Sequence, residues 1–163
     1  MENNFDFLRY IVTRLQQAGI ACVIFGGWAE ELTGAIAPRQ HSDIDILYIS
    51  DSFKKVDVFI KKQIDITEIP AKHFPHKRAF LCHEIMIEIL LVFERDNRLF
   101  TNFWNEYELE WPGIPTTPID YLKKPNLYAC KPEVVAFYRQ HWARIAEVRA
   151  KYVPASSEFS SGC

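Results

Sequence analysis

Asp43 and Asp45 stand one residue apart in an otherwise apolar run, Asp43-Ile44-Asp45-Ile46. That alternation predicts a strand with both carboxylates on one face and Ile44 and Ile46 turned into a core. Two carboxylates held side by side on a rigid strand repel each other unless a cation sits between them. Such a pair is a cradle for a hard divalent ion, and Mg²⁺ is usually held by one or two carboxylates together with substrate phosphates. A double glycine, Gly26-Gly27, lies upstream, after the apolar run Ala21 to Phe25. Glycine lets backbone N–H groups come close to a phosphate, consecutive N–H groups form an anion nest, and the start of a following helix adds a favourable dipole.

The 163 residues suit one domain, and 48% hydrophobic against 25% charged residues is the balance of a globular chain with a real core. The net charge of −2 argues against a nucleic-acid partner, which calls for a basic face. No apolar stretch is long enough for a membrane span, and the start Met1-Glu2-Asn3-Asn4 lacks the basic opening of a signal peptide, so the expected compartment is the cytoplasm. Cys22, Cys82, Cys130 and Cys163 are scattered without a C-x-x-C pair, which argues against both a zinc site and a disulfide framework. Cys22 and Cys82 read as small core residues.

Along the chain, Asn4 can cap a helix whose face carries Phe5, Leu8, Ile11, Val12 and Leu15, ended by Gly19. A strand over Ala21 to Phe25 is broken by Gly26-Gly27, and Trp28 to Thr33 reads as a short helix. A strand over Ile44 to Ile49 and a helix starting at Asp51-Ser52 follow, with Phe53, Val56 and Ile60 inward. Ile64 to Ile69 reads as a strand and Ala71 to Lys77 as a loop. Arg78 to Leu81 and Ile85 to Phe93 form two strands joined near Cys82-His83-Glu84, a turn without glycine. From Asp96 to Pro125 the pattern is poor, with one short helix expected at Ile119 to Leu122. Pro132 opens a long helix striped by Val135, Tyr138, Trp142, Ile145 and Val148, and the small polar tail from Ala155 reads as disordered. The expected fold is α/β (α+β): a single domain over residues 1–154, with a small mixed sheet flanked by helices, a C-terminal helix, and a tail at 155–163.

With Arg39 and His41 included, the stretch Gly26-Gly27-Trp28-Ala29 followed by Arg39, His41 and Asp43-Ile44-Asp45-Ile46 resembles the nucleotidyltransferase superfamily that includes DNA polymerase β. Within it, these motifs and their spacing resemble the small antibiotic-modifying branch, the lincosamide and aminoglycoside nucleotidyltransferases. The resemblance is closest over Ile24 to Ile49 and extends over His83 to Asn97. It implies a nucleoside triphosphate as co-substrate, two Mg²⁺ ions held by Asp43 and Asp45, phosphates cradled by Gly26 and Gly27, and contacts from Arg39 and His41. It also implies a third carboxylate on a neighbouring strand. The family aspartate would fall at Met86, which cannot bind Mg²⁺ this way. Glu88 faces the same side two residues on and is flanked by Ile87 and Ile89, an awkward place for an idle charge, so it is the expected third metal and catalytic acid. Glu84, nearer the turn, is the fallback.

The activity so implied is transfer of a nucleoside monophosphate to a hydroxyl of a small acceptor, such as a lincosamide or aminoglycoside, with release of pyrophosphate. The mixture of aromatics with Glu106, Glu108, Glu110 and Asp120 suits a cationic sugar. Two alternatives stay open: a nucleotidyltransferase acting on a protein or tRNA, as in toxin–antitoxin pairs, and a nucleotide-binding domain weakened by the loss at Met86. A homodimer is also open, because the long C-terminal helix can pack on its own sheet or on a second subunit. Trp28 reads as a packing anchor. His73, His76, Lys77 and Arg78 read as a solvated loop, and Lys54-Lys55 and Lys61-Lys62 as the wet side of a helix.

Overall fold

The Asn4 cap forms as the sequence dictates: Phe7 N–H donates to Asn4 Oδ1 at 2.9 Å, and helix α1 runs Phe5–Gln17. The computed structural model describes residues 1–114, 116–119 and 124–154, with 116–119 and 124–126 described by backbone alone. The order continues β1 (Val23–Phe25), α2 (Gly26–Leu32), β2 (Asp43–Ile49), α3 (Lys54–Lys62), β3 (Ile66–Glu68), a 3-10 turn (Pro70–Lys72), β4 (Lys77–Cys82) and β5 (Ile85–Arg95). Then come β6 (Arg98–Phe103), β7 (Tyr107–Trp111), β8 (Thr116–Ile119), β9 (Lys124–Cys130), α4 (Pro132–Gln140) and α5 (Trp142–Arg149).

Among the described residues the strands form one mixed sheet in the order β3-β4-β5-β2-β1-β9-β8, and β6 and β7 extend it from the far part of β5. β2 is central: antiparallel to β1 and parallel to β5. A central strand is covered on both faces, so six of its seven residues are buried, Asp43 and Asp45 among them. Ile44 and Ile46 are fully buried as the alternation requires. The helices seal the core with Leu8, Ile11 and Leu15 from α1, and Val56 and Ile60 from α3.

Three expectations needed correction. The stretch after Asp96 is not irregular: β6 and β7 form a hairpin, and β8 and β9 pair antiparallel, so the sheet is larger than the small one expected. The turns at the two ends of β6 are made by non-glycine residues with a left-handed backbone, Asp96-Asn97 and Trp104-Asn105, which hides them from a reading keyed to glycine. The His83-Glu84 turn is of the same kind, with φ of 50° and 67°. The long C-terminal helix is two helices, because at His141 the backbone leaves helical geometry (φ −96°, ψ 0°) and its Nδ1 pairs with the Phe137 carbonyl at 2.8 Å. The short helix expected at Ile119 to Leu122 meets a strand at Ile119, and its remainder lies outside the described residues, as does the tail at 155–163. No helix among the described residues is long and apolar enough to cross a membrane.

Candidate active site

The parallel pairing of β2 with β5 sets Asp43 beside Met86 and Asp45 beside Glu88. Residues in register share a face, so three carboxylates from two strands collect at one place. All are nearly buried, at 8% exposure for Asp43, 5% for Asp45 and 2% for Glu88. Of the two acids considered for the third position, the register brings Glu88 to the aspartates. Glu84 lies in the exposed hairpin turn beyond the start of β5.

Buried carboxylates need counter-charge, and two lysines supply it for Glu88. Lys72, from the 3-10 turn, is itself buried and pairs with Glu88 Oε1. Lys77, the first residue of β4, donates to Glu88 Oε2 at 3.1 Å. Burial pushes the Glu88 carboxyl up, but Lys77 and Lys72 outweigh it and hold the group below its ordinary value. Asp43 goes the other way: burial raises its pKa, and the charge of Glu88 raises it further. Asp43 Oδ2 is buried and accepts no hydrogen bond among the described residues. A buried carboxylate oxygen with no donor is a group that a hard cation would satisfy, but the ligand atoms of Asp43, Asp45 and Glu88 do not all come within 4.8 Å of one another; among the described residues only Asp65, Cys82 and His83 do.

Gly26 packs against Asp45, and Gly27 against the loop that precedes β2. Gly26 has φ of +61°, and a Cβ there would lie 2.6 Å from Asp45 Oδ2. A Cβ on Gly27 would run into Arg39 Nη2 and sit 3.1 Å from His41 Nδ1. The structure therefore gathers Gly27, Arg39 and His41, and Gly26 with Asp45. Glu31 of α2 ties the loop down: its Oε1 accepts from the Arg39 backbone N–H and pairs with His41 Nε2, both at 2.9 Å. The His41 ring stacks on Trp28 at 4.2 Å between centroids. Asn3 Nδ2 donates to the carbonyls of His41 and Asp43, and Trp28 Nε1 donates to Asn3 Oδ1. Trp28 is thus a packing anchor that fixes the entry to β2.

The space bordered by Asp45, Lys77, Glu88, Phe25, Leu90 and Tyr138 measures only about 10 Å³, room for no more than a water. A larger cleft of about 650 Å³ lies between α1 and α3, lined by residues such as Arg14, Lys54, Lys55 and Lys62, and it shares no residue with the acidic cluster.

Sequence reasoning missed the two lysines. Of the segment read as a solvated loop, His76 and Arg78 are buried, Lys77 reaches the acids, and His73 alone is well exposed. Arg78 donates from Nε to Asp57 Oδ1 at 2.7 Å and from Nη1 to the Phe74 carbonyl at 2.6 Å, which closes the loop. The available signal was Lys77-x-Ala79 at the head of an apolar strand, because a lysine two residues from a small buried alanine shares its face. Glu106, Glu108 and Glu110 are engaged in surface ion pairs with Lys151, Arg95 and Arg98 rather than gathered toward a cationic acceptor, and Asp120 lies outside the described residues.

A family model described as aminoglycoside-2''-adenylyltransferase matches residues 7–81. That span holds the glycines, Arg39, His41, Asp43, Asp45 and both lysines, and stops before Glu88. No curated protein matches the chain at the level of sequence. Among solved structures, the lincosamide antibiotic adenylyltransferase LnuA, in a lincomycin-bound crystal structure, superposes with a TM-score of 0.68 at 15% identity, covering 85% of this chain and 87% of its own. ANT(2'')-Ia in complex with adenylyl-2''-tobramycin superposes with a TM-score of 0.61 at 12% identity, covering 94% and 80%. The architecture is that of a single-domain nucleotidyltransferase fold. Within that class, the chain resembles the lincosamide and aminoglycoside nucleotidyltransferases.

Proposed function

We propose that the protein is an enzyme that transfers a nucleoside monophosphate from a nucleoside triphosphate to a hydroxyl of a small acceptor, with release of pyrophosphate. The convergence of Asp43, Asp45 and Glu88 beside a left-handed glycine turn carries this reading. The family match over the first half and the fold shared with two antibiotic-modifying enzymes support an antibiotic of the lincosamide or aminoglycoside class as acceptor.

Asp43 and Asp45, with Glu88, would hold Mg²⁺. When bound, two such ions neutralise phosphate charge and stabilise both the attacking and the leaving oxygen of an in-line displacement. The chain supplies the rest. Gly26 and Gly27 make room for the side chains of Asp45 and of Arg39 and His41, and Arg39 and His41 beside Gly27 would bind and orient the triphosphate. The acceptor oxygen bonds to the α-phosphorus as the bond to the pyrophosphate oxygen breaks. Glu88, kept ionised by its lysines, can take the hydroxyl proton once one of its oxygens is released. Help of that kind is typically worth ~10²–10⁴ in rate.

The test is a panel of lincosamides and aminoglycosides with each of the four nucleoside triphosphates and Mg²⁺, followed by pyrophosphate release. Turnover with the parent, lost on Asp43→Asn and on Asp45→Asn, supports the reading, and unchanged turnover in both variants sinks it. A second reading, nucleotide binding without transfer, is favoured by Met86 standing next to Asp43 and by the lysines already on Glu88. It forecasts nucleotide binding with no pyrophosphate released for any acceptor.

A further inference from the structure

Lys72 and Lys77 both pair with Glu88, and the transfer scheme gives them no task beyond keeping that acid ionised. They are not equivalent. The Lys72 side chain is 5% exposed and belongs to the tight turn Pro70–Lys72, while that of Lys77 is 17% exposed and borders the small space shared with Asp45, Glu88 and Tyr138. Lys77 therefore lines the space beside Asp45 and Glu88, and Lys72 does not.

A triphosphate approaching three buried carboxylates meets strong repulsion unless cations compensate. A lysine ammonium is a point charge on a flexible stem that rotates between acceptors, and exchanging one anionic partner for another leaves no charge stranded. We propose that Lys77 is a phosphate-binding residue of this site: on arrival of the nucleotide it leaves Glu88 Oε2 for a non-bridging triphosphate oxygen, while Lys72 stays on Oε1 and keeps Glu88 in place. The same movement uncovers Oε2, the oxygen on the substrate side. Nucleotide binding thereby prepares Glu88 for its work, and the acid stays capped by Lys77 until the triphosphate is present. Lys77 touches substrate in this scheme, and Lys72 acts only through Glu88, as a positioning residue.

This inference rests on the nucleotidyl-transfer reading, and binding measurements separate the two. Calorimetric titration of an α,β-methylene nucleoside triphosphate is run in EDTA and repeated with Mg²⁺. Lys77→Met should weaken binding roughly tenfold or more in both buffers, the cost of a lost hydrogen bond to a charged group. Lys77→Arg should bind like the parent. Glu88→Gln removes the competing anion and should tighten binding in EDTA, and that gain should vanish in the Lys77→Met/Glu88→Gln double variant. Lys77→Met keeps the Lys72–Glu88 pair, and circular dichroism checks its fold; Lys77→Gln serves if the methionine variant unfolds. Parent-like affinity in the charge-removed variant, or a Glu88→Gln gain that survives in the double variant, overturns the role of Lys77 and leaves the transfer reading standing. Absence of any nucleotide binding by the parent protein, with or without Mg²⁺, overturns both.

Discussion

Asp45 and Glu88 are direct partners across the parallel ladder of β2 and β5, with Phe25 the partner of Asp45 on its other side. The acidic cluster is therefore a property of strand register. A slip of one residue between β2 and β5 would turn Glu88 to the opposite face and leave the two aspartates beside isoleucines, Ile85 and Ile87 or Ile87 and Ile89.

Asp43 costs stability when ionised. Its carboxyl is raised above the ordinary 3.8 by burial and then by Glu88. The folded state thus holds its proton more tightly than the unfolded chain, and the penalty grows as pH rises from about 3.8 through the raised value. Asp43→Asn should make the metal-free protein more stable at pH 7, with the gain disappearing below the ordinary carboxyl pKa. Urea melts at several pH values in EDTA read this, and a neutral-pH loss of stability would contradict it.

The two glycines should respond differently to alanine. Gly26→Ala places a methyl 2.6 Å from Asp45 Oδ2 on a backbone with φ of +61°, and both the strain and the clash displace a proposed metal ligand. A cost of about 1–3 kcal/mol and loss of turnover are expected. At Gly27 the first atom met is the tip of the exposed Arg39 side chain, which can swing aside, and only the buried His41 ring at 3.1 Å has to give by a few tenths of an ångström, so Gly27→Ala should cost less stability than Gly26→Ala and mainly raise KM for the nucleotide. Thermal melts and steady-state kinetics on the pair settle the contrast.

Breaking the Lys72–Glu88 pair should be worse than removing both charges. Lys72→Met leaves Glu88 buried and still paired with Lys77, and a loss of about 3 kcal/mol is expected, the low end for breaking a buried pair. Lys72→Met combined with Glu88→Gln should recover part of that loss. A double-mutant cycle in urea measures the coupling, and simple additivity would remove the pair from the account.

His76 should govern part of the acid limb of stability. Burial, reinforced by Lys77 and Arg78, pushes it from 6.5 to about 3, and its Nδ1 accepts from the Trp104 N–H at 3.3 Å, which requires an unprotonated nitrogen there. The folded state keeps the ring neutral while the unfolded chain takes up a proton below about 6.5. Stability is thus complete above 6.5 and falls as pH drops toward 3. His76→Asn retains an acceptor and should flatten the curve in that window. An unchanged slope between pH 6.5 and 4 would count against it.

The sequence was most legible where local pattern determines the outcome. Alternation around Ile44 and Ile46, the Asn4 cap and the Gly26 break each depend on a few neighbours, and each forms as expected. That Glu88 shares the face of Met86 was legible from strand alternation, and the register sets it beside Asp45. The hairpins after Asp96 were not, because Asp, Asn and Trp supply left-handed turns that glycine usually marks. The break at His141 was hidden by an apolar stripe that continues through it, with Tyr138 and Ile145 both buried. Lys72 and Lys77 escaped because their partner depends on how β4 lies against β5, and no window of neighbouring residues contains that pairing.

The parallel neighbours β2 and β5 are separated in the chain by a helix, a tight turn and two other strands. Parallel pairing at that separation closes a long loop and is intrinsically slow. A ribosome-bound or proteolytic fragment ending before Ile85 would carry the glycines and both aspartates yet lack Glu88, so the acidic cluster assembles only after β5 has been synthesised and has folded against β2.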